Sequence, residues 1–245
     1  MINLFTKTKK TIRRSLNVLG IEVRRFNPSS SSLARLTKSL HFFDIDLVID
    51  IGANNGQFAK TLRSGGYTNQ IVSFEPLSSA HTRLLDASKD DPAWHVHSRC
   101  AIGDRQEEID MNISGNSVSS SILPMLSTHS SAAPTSTYIG LESALLMPLD
   151  TIIPSYLEHA KSPFLKIDTQ GYEWQVLDGA TETLPKVTGV QIELSLVQLY
   201  ERQHLWLDFV SRLEAAGFAL WSLEPAFIDP SSGRTLQWDG LFFRK

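Results

Sequence analysis

The heptapeptide DIGANNG, residues 50–56, decides the fold that this sequence predicts. It follows the short apolar run 46–51, which is typical of a buried strand, and it precedes a stretch with helical spacing at 57–64. Glycine at 52 and 56 lets the backbone turn tightly and approach a ligand without an intervening Cβ. The helix beyond the turn offers N–H groups and the positive end of its dipole to an anion. Strand, glycine turn and helix therefore predict a ligand site at the edge of a parallel sheet.

The same alternation of strand and helix continues along the chain. Apolar runs predict further strands at 70–74, 94–102, 163–167 and 187–194, and helical spacing predicts helices at 78–88, 173–179 and 205–216. A helix at 33–43 is expected to cover one edge, and strands at 218–223 and 240–243 are expected to close the sheet. Short connections in a β-α-β-α-β order predict a doubly wound, mostly parallel α/β fold.

One long segment, residues 112–148, breaks this alternation. It reads as irregular and contains Pro124 and Pro134 as well as a group of serines: Ser117, Ser119, Ser120, Ser121, Ser127, Ser130 and Ser131. Long irregular segments inside compact domains are usually functional loops or mobile insertions. The first alternative makes the segment a lid over an acceptor site, and the second makes it a floppy insertion. The predicted organisation is thus an N-terminal extension at 1–45 and one α/β domain at 46–245 that carries the lid-like insertion.

Composition excludes several classes of protein. The 245 residues are 42% hydrophobic and 20% charged with a net charge of −3, whereas a dedicated nucleic-acid binder is usually strongly basic. A single cysteine, Cys100, allows no internal disulfide and no cysteine-based zinc site, which favours a reducing cytoplasm. The chain has neither an apolar run long enough to span a bilayer nor a recognisable signal peptide. Nothing in the sequence indicates the oligomeric state.

The N-terminal extension is strongly basic. Residues 1–26 hold seven lysines and arginines against Glu22, or +6, which leaves −9 for the rest of the chain. The apolar residues on one helical face are Ile2, Phe5, Ile12, Leu16 and Leu19. Two interpretations stay open: a basic amphipathic helix that contacts an anionic membrane, or a solvated helix that packs its apolar face on the core.

Two acidic residues restrict the class of ligand that the glycine turn is expected to bind. Asp50 ends the first strand, where it can hold an ammonium group directly or through water. Glu75 ends the second strand, nineteen positions after Gly56, where a carboxylate can accept hydrogen bonds from both ribose hydroxyls of an adenosine. S-adenosylmethionine joins an adenosine to a carboxylate and an ammonium group and explains these features together. An NAD-dependent oxidoreductase is the weaker alternative, because its G-x-G-x-x-G turn would need a third glycine; the Walker phosphate-binding pattern is also missing from the sequence.

The remaining strand ends supply further candidates. The loop after the third strand, Ala101 to Asp104, would border an adenine, although Asp104 is equally a plain turn residue. Asp168 ends the fourth strand, where doubly wound folds place ligands and catalysts. Glu193 lies among apolar residues of the fifth strand, where a carboxylate is costly unless it is paired or used. Lys166 points to the same side of its strand as Asp168 and is expected to pair with such a carboxylate.

Taken in order, these motifs resemble those of the FkbM family of methyltransferases. The matching segments are DIGANNG at 50–56, Phe74-Glu75-Pro76, LDTI at 149–152, LKIDTQGYE at 165–173 and VLDGA at 176–180. The resemblance covers roughly residues 46–223, and the cluster Ser119-Ser120-Ser121 also resembles a serine-containing segment that many members carry before Asp150. It implies a Rossmann-like fold of the class I methyltransferase type, a seven-stranded, mostly parallel sheet with an antiparallel last strand. It further implies S-adenosylmethionine as donor and O-methylation of a sugar, a glycolipid or a related natural product.

The sequence predicts one set of residues that bind the donor and a second set that could take the proton of the acceptor. The predicted donor-site residues are Asp50, Gly52, Ala53, Asn54, Gly56, Glu75, Pro76, Ala101, Gly103, Asp104 and Asp168. An alcohol proton needs a base within hydrogen-bond reach, and the candidates are Asp168, Glu193, and His129 or His204, of which His204 is the preferred histidine. A divalent cation held by Asp168 and Glu193 is the alternative, and base catalysis without metal is preferred. A binding protein that keeps the fold without catalysis is the other competing function.

Overall fold

The computed structural model describes residues 16–21, 23 and 25–244 of the chain. These residues form ten strands: β1 (Leu47–Ile51), β2 (Gln70–Phe74), β3 (Trp94–Val96), β4 (Ala101–Gly103), β5 (Glu107–Ser114), β6 (Tyr138–Pro148), β7 (Pro163–Ile167), β8 (Gly189–Ser195), β9 (Phe218–Ile228) and β10 (Thr235–Arg244). Seven of them make the central sheet in the order β3-β2-β1-β7-β8-β10-β9. The first five are parallel, and β10 runs antiparallel to both β8 and β9. The predicted fold class is confirmed.

Helices cover both faces of this sheet, which is why β1 is buried along its whole length. The helices in the described residues are α1 (Ser32–Phe42), α2 (Gln57–Ser64), α3 (Ser78–Ser88), α4 (Ser127–Ala132), α5 (Leu149–Ile152), α6 (Pro154–Leu157), α7 (Glu173–Asp178) and α8 (Trp206–Ala215). Because neighbouring side chains of a strand point to opposite faces, Ile49 packs in one core cluster with Phe209 of α8. Val48 packs in the other cluster with Leu62 of α2. Continuous apolar runs are expected of parallel strands buried on both faces.

The prediction of one strand at 94–102 is wrong, because this segment contains parts of two separate strands. Its first part is β3, which pairs with β2, and its last part is β4, which belongs to a separate three-stranded sheet in the order β4-β6-β5. The segment between them contains polar residues and pairs with neither strand. Within it, Arg99 pairs with Glu142 of β6 at 2.5 Å, and β4 then pairs with β6 in the smaller sheet.

The segment 112–148 is more regular than the sequence predicts. Its two ends lie in β5 and β6, which pair as an antiparallel hairpin, and α4 lies between them. The serine-rich part is held by hydrogen bonds: Ser121 Oγ donates to the carbonyl of Gln170 at 2.6 Å, and Asn54 Nδ2 donates to the carbonyl of Ser117 at 3.1 Å. The expectation of an irregular segment is therefore corrected, and its function as a lid stays a prediction.

The N-terminal extension is described only in part. Ile2, Phe5 and Ile12 of the predicted apolar face lie outside the described residues, while Leu19 is exposed and α1 packs Leu40 into the core. None of the described helices combines the length and apolar character that crossing a membrane requires. Cytoplasmic localisation stays a prediction.

Candidate active site

A cavity of about 300 Å³ opens at the carboxyl ends of β1, β2 and β7. The connections leave β1 and β7 in opposite directions, so the cavity lies at the switch point where open α/β sheets bind ligands. Seven of the predicted donor-site residues line it: Gly52, Ala53, Asn54, Glu75, Pro76, Ala101 and Asp168. The other four, Asp50, Gly56, Gly103 and Asp104, lie outside its wall. The predicted roles of all eleven towards a ligand stay predictions.

Contacts inside the protein account for the two glycines of the turn. Gly52 has φ +76°, and a Cβ on it would lie 1.8 Å from the carbonyl oxygen of Asp168. Gly56 has φ +77°, and a Cβ there would lie 2.5 Å from the ring of Trp94. The amides of Gly52 and Ala53 both donate to the carbonyl of Phe74. The two glycines therefore permit close packing inside the protein, a reason that the sequence pattern did not reveal.

Asp50 is completely buried beneath this turn. Its carboxylate lies 3.2 Å from the ammonium nitrogen of Lys166 and accepts a hydrogen bond from Ser73 Oγ at 3.2 Å. Lys166 Nζ also donates to the carbonyl of Gly52 at 3.2 Å and lies 3.5 Å from Asp168. Burial alone would lower the pKa of Lys166, but the charges of Asp50 and Asp168 outweigh it and raise the pKa above its ordinary value. Lys166 is thus a cation that joins the ends of β1 and β7.

Glu75 is buried at the end of β2 with both carboxyl oxygens in use. The amide of Asn54 donates to Oε2 at 2.8 Å, and the amide of Leu77 donates to Oε1 at 2.9 Å. Each oxygen keeps a second lone pair for another donor. Burial raises the pKa of Glu75 to about 7, although these two amides favour the ionised form. Glu75 is therefore a hydrogen-bond acceptor on the cavity wall that is held half-protonated near neutral pH.

Asp168 and Glu193 are brought together by an amide rather than by direct contact. Gln170 Nε2 donates to Asp168 at 2.7 Å and to Glu193 at 3.0 Å, and Gln237 Nε2 donates to Glu193 at 2.7 Å. Burial and the charge of Asp168 raise the pKa of Glu193 well above its ordinary value. Asp168 lines the cavity and Glu193 does not. The expected pairing of Lys166 is found with Asp50 and Asp168 instead of Glu193. Within the described residues, no three His, Cys, Asp or Glu side chains are grouped so that they could hold a metal ion.

Asp239 is a cavity-lining carboxylate that sequence reasoning missed. It lies on β10, directly opposite Glu193 of β8 in the strand register. Burial and the nearby charge of Asp168 raise the pKa of Asp239 to about 6. The signal was present in the sequence, because an aspartate interrupts the apolar run LQWDGLFF at 236–243. Only the antiparallel placement of β10 beside β8 brings it to the cavity.

The two predicted histidines lie apart from the cavity. His204 stacks on Trp174 with ring centroids 4.0 Å apart and lies 3.4 Å from Asp208. His129 is buried against Tyr200, and burial lowers its pKa to about 4, so its ring is neutral. Neither histidine lines the cavity, so the geometry gives no support to either as the base.

Two other motif residues hold loops. Asp150 accepts from the amides of Glu182 and Thr183 at 2.8 and 2.9 Å. Glu173 Oε1 accepts from the amides of Thr169 and Gly171, both at 3.0 Å, and fixes the loop that presents Asp168. The four predicted residues outside the wall also have protein partners; Asp104, for example, pairs with Arg105 at 2.9 Å. Contacts within the protein therefore account for these motif residues, and no ligand is needed to explain them.

Comparison with known proteins identifies the family of this chain. A sequence profile described as the methyltransferase FkbM domain matches residues 50–220, more than half of the chain. The chain belongs to the FkbM methyltransferase family. No curated protein matches this FkbM methyltransferase in sequence.

Among solved structures, the methyltransferase domain of the bacterial protein CtHen1-CN is similar at 12% identity with a TM-score of 0.47. That match covers 86% of the FkbM methyltransferase chain and 96% of the other. The precorrin-6y C5,15-methyltransferase from Geobacter metallireducens GS-15 is similar at 10% identity with a TM-score of 0.47, covering 87% of each chain.

Proposed function

We propose that this FkbM methyltransferase transfers a methyl group from S-adenosylmethionine to a hydroxyl of a sugar, a glycolipid or a related natural product. The observation that carries the proposal is that apolar side chains and carboxylates line the same cavity. Phe74, Leu77 and Met111 line it together with the carboxyl groups of Glu75, Asp168 and Asp239. A nucleoside needs apolar surroundings for its base, and an acceptor alcohol needs a carboxylate that can take its proton.

The residues present fit S-adenosylmethionine. The spare lone pairs of Glu75 suit the two hydroxyls of a ribose, and the apolar wall of Phe74, Leu77 and Met111 suits an adenine ring. When bound, this donor supplies a methyl group already activated on a sulfonium. The protein is then left to align an acceptor hydroxyl and to take its proton.

Asp239 is the residue that we assign to take this proton. A general base works best when its pKa lies near the working pH, and burial raises the pKa of Asp239 to about 6. Asp168 is held by Lys166 and Gln170, so its carboxylate is suited to accept a hydrogen bond from the hydroxyl and to orient it. This division keeps Asp168 in the reaction, as the sequence predicts, and adds a second carboxylate beside it.

Calorimetry against S-adenosylhomocysteine and against NAD tests the donor half of the proposal. We expect the first to bind and NAD not to bind. A protein that binds NAD instead would contradict it.

Incubation with S-adenosylmethionine and panels of sugars and glycolipids, read by mass spectrometry, tests the acceptor half. A product heavier by one methyl group, borne on oxygen, is the expected result. Donor binding with methylation on nitrogen or carbon would refute the acceptor class alone, and donor binding without turnover on any panel member would favour the binding protein.

A further inference from the structure

Tyr200 is a completely buried aromatic residue whose polar end lies behind the cavity wall. Its hydroxyl group donates to the side-chain oxygen of Gln170, and the two oxygen atoms are 2.9 Å apart. The same hydroxyl lies 3.3 Å from the backbone carbonyl oxygen of Ser119. Because Gln170 lines the cavity and Tyr200 does not, Tyr200 can act on a ligand there only through Gln170.

The hydrogen bond from Tyr200 agrees with one orientation of the Gln170 amide. A donating hydroxyl takes the amide oxygen as its acceptor, so the amide nitrogen faces the other way. Its two hydrogens there meet two carboxyl oxygens, Asp168 Oδ1 at 2.7 Å and Glu193 Oε2 at 3.0 Å. A reversed amide would place its own oxygen against both carboxyl groups. The contacts at both ends of Gln170 therefore favour the orientation in which it donates to the two acids.

The backbone of Gln170 is also held in an unusual conformation. Its φ of +54° lies in the left-handed region, which few residues other than glycine adopt. The carbonyl of Gln170 accepts from Ser121 Oγ at 2.6 Å, and the ring of Tyr200 packs so closely on Gly171 that a Cβ there would lie 2.9 Å from it. Conformations of this kind persist only where the surroundings fix them, and they cluster at functional sites.

A ring of hydrogen bonds in turn holds Tyr200. Gln203 Oε1 accepts from the amide of Tyr200 at 3.4 Å, and Gln203 Nε2 donates to Ser195 Oγ at 2.8 Å. Gln237 Nε2 lies 3.2 Å from the same serine oxygen and 2.7 Å from Glu193 Oε2. Connected networks of buried hydrogen bonds are rigid. This one is closed, since it leads from the backbone of Tyr200 through Gln203, Ser195, Gln237, Glu193 and Gln170 back to its hydroxyl.

Asp168 is the member of this network that depends on Gln170 for its orientation. The side chain of Asp168 is 38% exposed, so packing alone does not fix its carboxylate. Gln170 holds Oδ1 at 2.7 Å, while the ammonium nitrogen of Lys166 lies 3.5 Å from Oδ2. The bond from Gln170 is the shorter of the two, and a small displacement of a group that aligns a reactant is enough to slow a reaction.

We propose that Tyr200 is a positioning residue of this site, which acts through Gln170 to fix the carboxylate of Asp168 towards the acceptor hydroxyl. The effect on turnover rests on the proposed function. The orientation of Gln170 rests on the hydrogen bonds alone and is measured without donor or acceptor.

NMR of the full chain labelled with ¹⁵N-glutamine tests the orientation. The side-chain amide signal of Gln170 is identified by its loss in Q170A. In the wild type we expect its two protons downfield of those of exposed glutamines, because both donate to carboxyl groups. Y200F keeps the ring and should move this signal towards those of exposed glutamines. The matched variant Y67F removes another buried hydroxyl, which donates to the carbonyl of Gln70, and should leave the signal unchanged.

Turnover tests the effect on the reaction. Y200F should keep the wild-type affinity for S-adenosylhomocysteine and the KM for the donor, while kcat falls about tenfold, which corresponds to one hydrogen bond. Y67F should keep all three values. If Tyr200 acts through Gln170, the double variant Y200F/Q170A should lose no more of kcat than Q170A alone.

Four results would overturn the proposal. One is a wild-type Gln170 signal among those of exposed glutamines, a result that does not depend on how any Tyr200 variant folds. The others are a Gln170 signal that Y200F leaves in place, an active wild type whose kcat Y200F does not lower, and losses of kcat in Y200F and Q170A that multiply in the double variant. A chain with the expected NMR signals that methylates no acceptor would refute the methyl transfer and leave the orientation of Gln170 established.

Discussion

Donor binding should expel a proton from Glu75, and the variant E75Q should abolish this effect. The buried carboxyl has a pKa of about 7 because burial outweighs the amides of Leu77 and Asn54; Lys166 lowers this pKa further and Asp50 raises it. Ribose hydroxyls that donate to the carboxyl would favour its ionised form and therefore lower the pKa. A ligand that binds in this way has to displace the proton that the free protein holds.

The size of the effect follows from the pKa. If the ligand returns Glu75 to its ordinary value of 4.5, binding at pH 7 releases about half a proton, and binding at pH 6 releases about 0.9. The affinity for S-adenosylhomocysteine should then be about tenfold higher at pH 8 than at pH 6, or about 1.4 kcal/mol.

Calorimetry at pH 7 in buffers of different ionisation enthalpy measures the proton directly. The observed binding enthalpy of the wild type should vary with buffer enthalpy with a slope of about half a proton. E75Q should show no slope and no dependence of affinity on pH. D86N is the matched control, because Asp86 is exposed on α3 and does not line the cavity, and it should keep the wild-type slope. A wild type that binds without any slope, or an E75Q variant that keeps one, would refute the assignment of Glu75.

Four further variants test separate parts of the structure. D168N should keep its affinity for S-adenosylhomocysteine while kcat falls about a hundredfold; full activity would remove Asp168 from the reaction. D239N should lose the rise of kcat with pH through about 6 that the wild type shows, and an unchanged pH profile would exclude it as the base. G52A should lower the free energy of unfolding by at least about 3 kcal/mol, because its new Cβ would clash with the carbonyl of Asp168. G66A, at φ +92° with open space around it, should lower it by only about 1 kcal/mol, the cost of a positive φ for alanine. Equal losses of the two variants in denaturant titration would contradict the clash at Gly52. Burial raises the pKa of Glu173 from 4.5 to about 7, so its stabilising contribution is complete below pH 4.5 and is lost as the pH rises through 7. Relative to E173Q, the wild type should lose up to about 3 kcal/mol of unfolding free energy over that range. Curves of unfolding free energy against pH that run parallel for the two proteins would be incompatible with the raised pKa.

Elements whose periodicity and end signals agree were predictable from the sequence. The strand Gln70–Phe74 and the helices Gln57–Ser64 and Ser78–Ser88 have the predicted bounds. In each case a local pattern and the tertiary environment favour the same structure. The split of 94–102 was not predictable, because the partner that captures Ala101–Gly103 is β6, some forty residues further along the chain.

The sequence was sufficient to predict which residues of the candidate site lie at strand ends, and insufficient to predict the contacts between neighbouring strands. Glu75 and Asp168 reach the cavity because parallel strands end at the same edge. The burial of Asp50 under Lys166 depends on the register of β1 against β7, which puts these two residues side by side. Asp239 depends on a strand inserted antiparallel between its neighbours. Periodicity contains neither register nor strand order, so these relationships appear only in three dimensions.

The hairpin of β5 and β6 has a practical consequence for engineering. Its loop contributes Ser117, Val118 and Ser120 to the cavity wall, while both strands that carry it belong to the smaller sheet. Asn54 and Gln170 hold the loop through its own backbone carbonyl and one serine hydroxyl. Ile122 and Leu123 of the same segment pack on the core. An exchange of wall residues is therefore best confined to 117–120: replacing these residues with those of another family member, while keeping Ser121, Ile122 and Leu123, is expected to change part of the wall and to keep the packing beneath the loop.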